Sequence, residues 1–289
     1  MPELPEVETV RRGLVELIVG QVISGIECLD SPKSFPNDTA SVQAFCMSAT
    51  ITNVRRRAKV LLIDLSTDYT LVIHLKMTGQ LVFRGEQNFG AGHPNDSLIG
   101  DLPDRSTRVV ITFSDDSHLY FNDQRKFGWI KLFPTLEVPN IDFMQKVGPE
   151  PLEGSFTAEA FTGRIRRRNS TTIKAAILDQ TVLAGVGNIY ADESLWGAKI
   201  HPGSRVRDVA DEKLAELLNE IQYVMNLSIE KGGSTDRNYV NAEGKRGSYI
   251  DFARVFRKEG HACPRCGSAI EKLRVAGRGT HICPTCQVQ

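Results

Sequence analysis

Near Pro134 the chain changes its period, and that change limits the fold more than any single motif does. Between residues 21 and 134 the apolar side chains come in short β-rich runs, at 21–28, 49–55, 59–65, 70–75, 80–84, 108–113, 117–122 and 128–133. Several are closed by turn residues such as Ser114-Asp115-Asp116. Ahead of them Val7, Val10, Leu14, Leu17 and Ile18 recur at three- and four-residue spacing, which makes residues 5–18 an amphipathic helix stopped near Gly20. Beyond residue 154 the period is helical, at about 157–167, 171–179, 188–197 and 209–231. Many short strands followed by a set of helices predict an α+β multidomain chain whose first half is a β-sandwich. Residues 1–134 are then an N-terminal sandwich with its leading helix, 135–154 a proline-rich interdomain linker, 155–250 a helical domain and 251–289 a cysteine-bearing end. Residues 85–104, rich in Gly, Asn, Asp and Pro, interrupt the strands and read as a mobile loop.

Cys263-Pro-Arg-Cys266 and Cys283-Pro-Thr-Cys286 stand sixteen residues apart, the spacing of a four-cysteine zinc ribbon. Four thiolates leave a tetrahedral ion no open position, so one structural Zn2+ is expected; His281 is the competing ligand to be tested against a plain hairpin side chain. The other two cysteines, Cys28 and Cys46, read as buried thiols of a reducing compartment. No run of 18 apolar residues exists and the first residues are charged where a signal peptide is apolar, so the expectation is a soluble, cytoplasmic monomer.

Thirty-five basic and thirty-five acidic side chains cancel, which by itself argues against a nucleic-acid partner. Their distribution argues the other way. Arg55, Arg56, Arg57 and Lys59 cluster, Arg164, Arg166, Arg167, Arg168 and Lys174 lie in a stretch free of acids, and residues 241–289 hold nine Lys or Arg against four Asp or Glu. One basic face fits a polyanion, although charge runs also serve as ordinary solvated surface.

At the other end, Pro2 and Glu3 precede the first helix. Removal of Met1 would free a secondary amine with a pKa of about 7.7–8.0, partly unprotonated at neutral pH. Attack by that amine on a sugar anomeric carbon gives an iminium that acts as an electron sink, with Glu3 beside it to move protons. The same residues also make an ordinary helix start, with proline and carboxylates in the first turn. Gly185-Val186-Gly187-Asn188 opens a helix and exposes amide donors to an anion, or forms a plain capped turn. Loops at 74–79 and 123–128 carry Met77, Arg125 and Phe127, side chains able to wedge into a base stack and equally able to fill a core.

Pro2-Glu3-Leu4-Pro5-Glu6-Val7, Arg56-Arg57-Ala58-Lys59, Arg125-Lys126-Phe127-Gly128, Gly148-Pro149-Glu150-Pro151, Gly185-Val186-Gly187-Asn188-Ile189-Tyr190 and the four-cysteine ribbon together resemble the bacterial formamidopyrimidine-DNA glycosylases (Fpg, also called MutM). They occur in that family's order over the whole chain. The resemblance implies a sandwich carrying the catalytic helix, a helix-two-turns-helix domain with a zinc finger, and damaged duplex DNA held in the cleft between them. It implies excision of oxidised purines such as 8-oxoguanine and formamidopyrimidines, followed by strand nicking at the abasic site. Pro2 is matched to the Schiff-base nucleophile, Glu3 to the acid/base, Lys59 to the proton donor of β-elimination and Arg278 to phosphate binding and δ-elimination. Asn188 is matched to a phosphate grip, Met77, Arg125 and Phe127 to the void-filling trio, and Lys174 to a lysine near the lesion, with Arg168 a further DNA contact. The stretch after Gly232-Gly233 corresponds to a loop that covers the everted base.

Three places depart from the pattern: Arg105-Ser106 where Lys-His is usual, Val255-Phe256-Arg257-Lys258 where Val-Tyr-Gly-Arg is usual, and the 85–104 insert. Two other readings stand beside this one. The sister endonuclease VIII family usually begins Pro-Glu-Gly-Pro-Glu, which Leu4 does not match, and a non-catalytic zinc-ribbon DNA-binding protein has no use for Pro2, Glu3 or Lys59.

Overall fold

The leading helix forms because its first turn is capped from both directions. In a computed structural model, which describes residues 2–93, 95–234 and 249–288, α1 (Leu4–Ile18) has Glu3 at its N-cap in a reciprocal capping box with Glu6. The Glu3 N–H donates to Glu6 Oε2 at 2.8 Å. Val7, Val10, Leu14 and Ile18 are wholly buried on one face, which stabilises the docked helix by about 6–12 kcal/mol before chain entropy is subtracted.

By contact the chain forms two compact units, Met1–Gln145 with Lys231–Ser248, and Lys146–Glu230 with Tyr249–Gln289. The first unit is the expected sandwich. Its strands are β1 (Ile23–Cys28), β2 (Ile51–Arg57), β3 (Val60–Leu65), β4 (Tyr69–His74), β5 (Gly79–Arg84), β6 (Asn88–Gly92), β7 (Thr107–Phe113), β8 (His118–Asp123) and β9 (Trp129–Pro134). They pair in two antiparallel sheets, β1-β7-β8-β5-β6 and β2-β3-β4-β9. Ile23, Phe83, Ile111 and Phe121 from the first sheet share one buried core with Val54, Ile63, Ile73 and Ile130 from the second, and α1 closes it.

Two expectations are corrected here. The 85–104 segment is not all loop: residues 88–92 are β6, paired with β5 from Gln80↔Gly92 to Arg84↔Asn88. Its glycines suggested a loop, but they serve close approach. A Cβ on Gly92, which sits at φ +127°, would stand 2.5 Å from the Gly79 carbonyl oxygen, and the Phe89 ring occupies the space a side chain at Gly13 of α1 would need. Ser97, Asp104 and Ser106 then tie the rest of the insert down, with Ser106 almost fully buried at the departure noted above. The proline-rich connection holds a 3-10 helix over Thr135–Asn140 followed by α3 (Asp142–Lys146), with Val138, Phe143 and Met144 packed on β3 and β4. Cys46 is buried as expected, whereas Cys28 is only half-buried. A short helix unmarked by periodicity, α2 (Thr39–Phe45), is capped by Asp38.

The second unit holds α4 (Ala158–Ile165), α5 (Ile173–Leu178), α6 (Asn188–Gly197), α7 (Asp211–Glu230), α8 (Tyr249–Phe252) and a hairpin of β10 (Glu271–Val275) and β11 (Arg278–Ile282). Between α5 and α6 the Gln180 amide donates to the Leu178 and Val186 carbonyls and accepts from the Gly185 N–H, fixing the double turn. Among the described residues no helix is long and apolar enough to cross a membrane.

Candidate functional site

In the first unit Pro2 and Glu3 are buried at the start of α1. Lys59 is buried too, 6% exposed, in the two-residue turn between β2 and β3, where Ala58 takes φ 53°. Arg56 joins the two elements: its Nε donates to Glu8 Oε2 on α1 at 3.1 Å and its Nη1 to the Ala58 carbonyl at 2.9 Å. The lysine turn is therefore braced from the helix that carries Pro2. Burial alone would raise the Glu8 carboxyl, but hydrogen bonds from Arg11, Arg12 and Arg56 outweigh it and hold it at about 2. Glu6 was missed by sequence reasoning. Besides the Glu3 N–H, its carboxylate accepts the Ser234 N–H at 2.8 Å, which fixes the last described residue before 235–248. The covering loop expected after Gly232-Gly233 lies on those residues, outside the described ones.

Met77, Arg125 and Phe127 also fall together in this unit, on the loops after β4 and β8. Phe127 is 52% exposed and the Arg125 guanidinium lies 4.7 Å from its ring centre, so neither is a core residue. Met77 is half-buried. The Met77 loop is held at its base by His74, whose Nδ1 accepts the Lys76 N–H at 3.0 Å. Burial, helped by the charges of Lys76 and Lys59, pushes that imidazole down to about 3.

A pH dependence follows. The unfolded chain takes up a proton at His74 near pH 6.5 while the folded chain resists until about 3, so the unfolded state binds more protons throughout that interval. Acidification should cost the first unit about 1.4 kcal/mol per pH unit from His74 below pH 6.5. Glu8, depressed from 4.5 to about 2, contributes stability present above 4.5 and lost as pH falls toward 2. Denaturant titrations of Trp196→Phe protein, read by Trp129 fluorescence, should show this slope, and His74→Asn should flatten it between pH 6.5 and 4.5. An unchanged slope in His74→Asn would assign the effect elsewhere.

In the second unit the four cysteine sulfurs lie within 4.8 Å of one another, with Cys263–Cys286 at 4.0 Å and Cys266–Cys283 at 3.4 Å. A tetrahedral zinc with bonds of about 2.3 Å needs edges of about 3.8 Å. The cysteines fit one structural Zn2+, and His281 is not among them, since its Nδ1 and main-chain N–H both face Asp192 Oδ2, at 3.1 and 2.9 Å. Asp192 and its neighbour Glu193, both buried on α6, dock the ribbon to the helices. Glu193 accepts the main-chain N–H groups of Arg254, Val255 and Phe256.

The expected contacts of this unit separate. Arg278 is exposed at the tip of the hairpin, beside the Ala276-Gly277 turn with its two positive φ angles. Asn188 Nδ2 donates to the Gly279 carbonyl at 3.0 Å, next to Arg278, and its Oδ1 is buried without a hydrogen-bond partner. Arg168 pairs with Asp179 at 2.8 Å and remains half-exposed. Lys174, matched above to a lysine near the lesion, is wholly buried, with Nζ 2.5 Å from Asp192 Oδ1 and 2.7 Å from Thr280 Oγ1, so its ammonium ties the hairpin to α6. Two arginines of the basic run are structural as well, Arg164 donating to the Thr181 and Val182 carbonyls and Arg166 to those of Val206 and Val209.

Comparisons agree with this arrangement along the chain. Residues 1–130 match the formamidopyrimidine-DNA glycosylase N-terminal domain, 147–239 the H2TH domain of the same family and 260–288 the zinc finger found in FPG and IleRS. A formamidopyrimidine-DNA glycosylase of Herpetosiphon aurantiacus is 43% identical over 272 residues, 93% of each chain. Lactococcus lactis Fpg, solved with DNA containing an abasic site, superposes with a TM-score of 0.87 at 35% identity over 99% of this chain and 100% of that one. MutM solved with carbocyclic 8-oxo-G DNA gives 0.86 at 35% identity over the whole of both.

Proposed function

Since the chain belongs to the formamidopyrimidine-DNA glycosylase family, we propose that it is a bifunctional DNA glycosylase and abasic-site lyase that removes oxidised purines through its N-terminal proline. The observation that carries this reading is the joint enclosure of Pro2, Glu3 and Lys59 in one unit, with Arg56 bracing the lysine turn against the proline helix. A protein that only binds DNA has no need to enclose a proline that becomes the amine terminus, its neighbouring carboxylate and a lysine in the same unit.

Once Met1 is removed, the Pro2 nitrogen has a lone pair. It attacks C1′ of the everted nucleotide, the N-glycosidic bond breaks and the base leaves with a proton. Glu3 protonates O4′ as the sugar opens, leaving an iminium between Pro2 and C1′. Loss of a C2′ proton to a general base expels the 3′-phosphate, and Lys59 is the residue assigned to donate a proton during this β-elimination. A second elimination expels the 5′-phosphate, which Arg278 is suited to hold. The zinc, when bound, supplies no chemistry and fixes the hairpin that bears Arg278. Met77, Arg125 and Phe127 fill the space left by the everted nucleotide, and Asn188 and Arg168 hold backbone phosphates.

Borohydride reduction of the iminium should trap the processed protein covalently on duplex DNA carrying 8-oxoguanine. Thymine-glycol DNA in parallel should trap far less. No adduct on either substrate sinks the lyase mechanism, and preferential trapping on thymine glycol moves the assignment to oxidised pyrimidines.

A further inference from the structure

The carboxylate of Asp123, wholly buried at the end of β8, is saturated by groups from the two loops that carry the exposed wedge residues. Oδ1 accepts the Thr78 hydroxyl and the Arg125 N–H, the latter at 3.2 Å, and the Arg125 N–H also reaches Thr78 Oγ1 at 3.1 Å. Oδ2 accepts the N–H groups of Phe127 at 2.8 Å and Gly128 at 2.6 Å. One side chain thus bonds both neighbours that matter: Thr78, adjacent to Met77, and the main chain of Arg125 and Phe127 themselves.

The same loop is braced from behind. The Arg108 side chain, 3% exposed, donates from Nε to the Asp123 carbonyl at 2.8 Å and from Nη1 to Asp30 Oδ1 at 2.6 Å. Asp30 Oδ2 in turn takes Lys126 Nζ at 2.8 Å, drawing the residue between Arg125 and Phe127 outward and away from the wedge. Lys126 keeps a left-handed φ of 57°, which turns the chain between Arg125 and Phe127.

We propose that Asp123 is a positioning residue that joins the Met77 loop and the Arg125/Phe127 loop into one preformed wedge, so that the nucleotide is displaced by a rigid body rather than by two independent loops. This rests on the assignment of Met77, Arg125 and Phe127 as void-filling groups. An ordered wedge loses little side-chain and loop entropy when it enters the stack, which is where the rate advantage arises. Asparagine keeps the shape of Asp123 but offers one acceptor oxygen, so its amide nitrogen must face main-chain donors and one loop is released.

The test is stopped-flow fluorescence of 2-aminopurine placed beside 8-oxoguanine in duplex DNA, with excision measured on the same duplex. Asp123→Asn should slow unstacking and excision together by about 30-fold, and Thr78→Val, which removes only the cross-loop hydroxyl, by about fivefold. In a Met77→Ala/Arg125→Ala/Phe127→Ala background, which has no wedge side chain to position, adding Asp123→Asn should cost less than about twofold. Wild-type unstacking in Asp123→Asn, or an undiminished loss in the wedge-free background, overturns the proposal. Should Asp123→Asn fail to fold by circular dichroism, Thr78→Val decides: unstacking at the wild-type rate overturns it. Wild-type protein that neither excises nor is trapped would instead defeat the functional reading, independently of any variant.

Discussion

Protein that retains Met1 is expected to lose 8-oxoguanine excision and borohydride trapping by more than about 10^4-fold, because an amide nitrogen has its lone pair delocalised into the carbonyl and cannot attack C1′. The comparison needs no substitution: the same sequence made in cells without methionine aminopeptidase differs from the processed form only ahead of Pro2, and intact mass confirms which is present. Glu3→Gln is the companion. A glutamine side-chain oxygen can still serve the capping box at the N-cap of α1, so helix and fold should persist while proton transfer is lost. Excision should fall by about 10^2- to 10^4-fold. If the Met1-bearing form cleaves at the rate of the processed one, the terminal imine plays no part, and if Glu3→Gln stays within about tenfold of wild type, Glu3 is a helix cap and nothing more.

What sequence reading reached and what it missed divide along a physical line. The β-rich strand runs and α1, expected at 5–18 and found at Leu4–Ile18, were legible because each carries a local signal, clustered apolar residues in the strands and a three- to four-residue apolar period in the helix. β6 was not, because its residues, Asn88-Phe89-Gly90-Ala91-Gly92, fit a loop by composition and became a strand only through the space beside β5 and Gly13. The helix Thr39–Phe45 was missed for a related reason: none of its residues is fully buried, and only Val42 and Phe45 pack on the core, too short a stripe to set a period.

The site divides in the same way. The groups proposed to touch substrate sit in short contiguous motifs, and those could be named from the chain. Their supports come from residues far apart in sequence: Arg56 reaches Glu8 across 48 positions, Arg108 reaches Asp30 across 78 and Asp192 reaches His281 across 89. No spacing rule marks such pairs. The one available signal was chemical, since an acid in a segment otherwise destined for burial, as Asp123 and Asp192 are, must find donors somewhere. A basic run misled in the converse way. Arg164 and Arg166 belong to a run read as a basic face or solvated surface, but a guanidinium is also the side chain best able to gather several loose carbonyls, and the turns around Thr181 and Val206 supply them.

Lys174→Met is expected to destabilise the second unit by about 3–5 kcal/mol, because it strips the Asp192 carboxylate of its cation in a site where both side chains are wholly buried. Gly279 and Thr280 lose their ammonium donor at the same time, and with them Arg278 loses its fixed position, so affinity for duplex DNA should fall as well. Adding Asp192→Asn should recover about half of the stability, although it removes a second charged group. Asparagine leaves no charge in the interior and can still accept the His281 N–H through its side-chain oxygen. Denaturant midpoints for the wild type, the single variant and the double variant test this directly. Were Lys174 instead a group that touches the damaged base, its loss would lower excision in a normally stable protein, and Asp192→Asn would repair nothing. A double variant less stable than Lys174→Met alone therefore removes the buried-pair account, whereas recovery of stability together with DNA affinity makes the pair the device that sets the hairpin on α6.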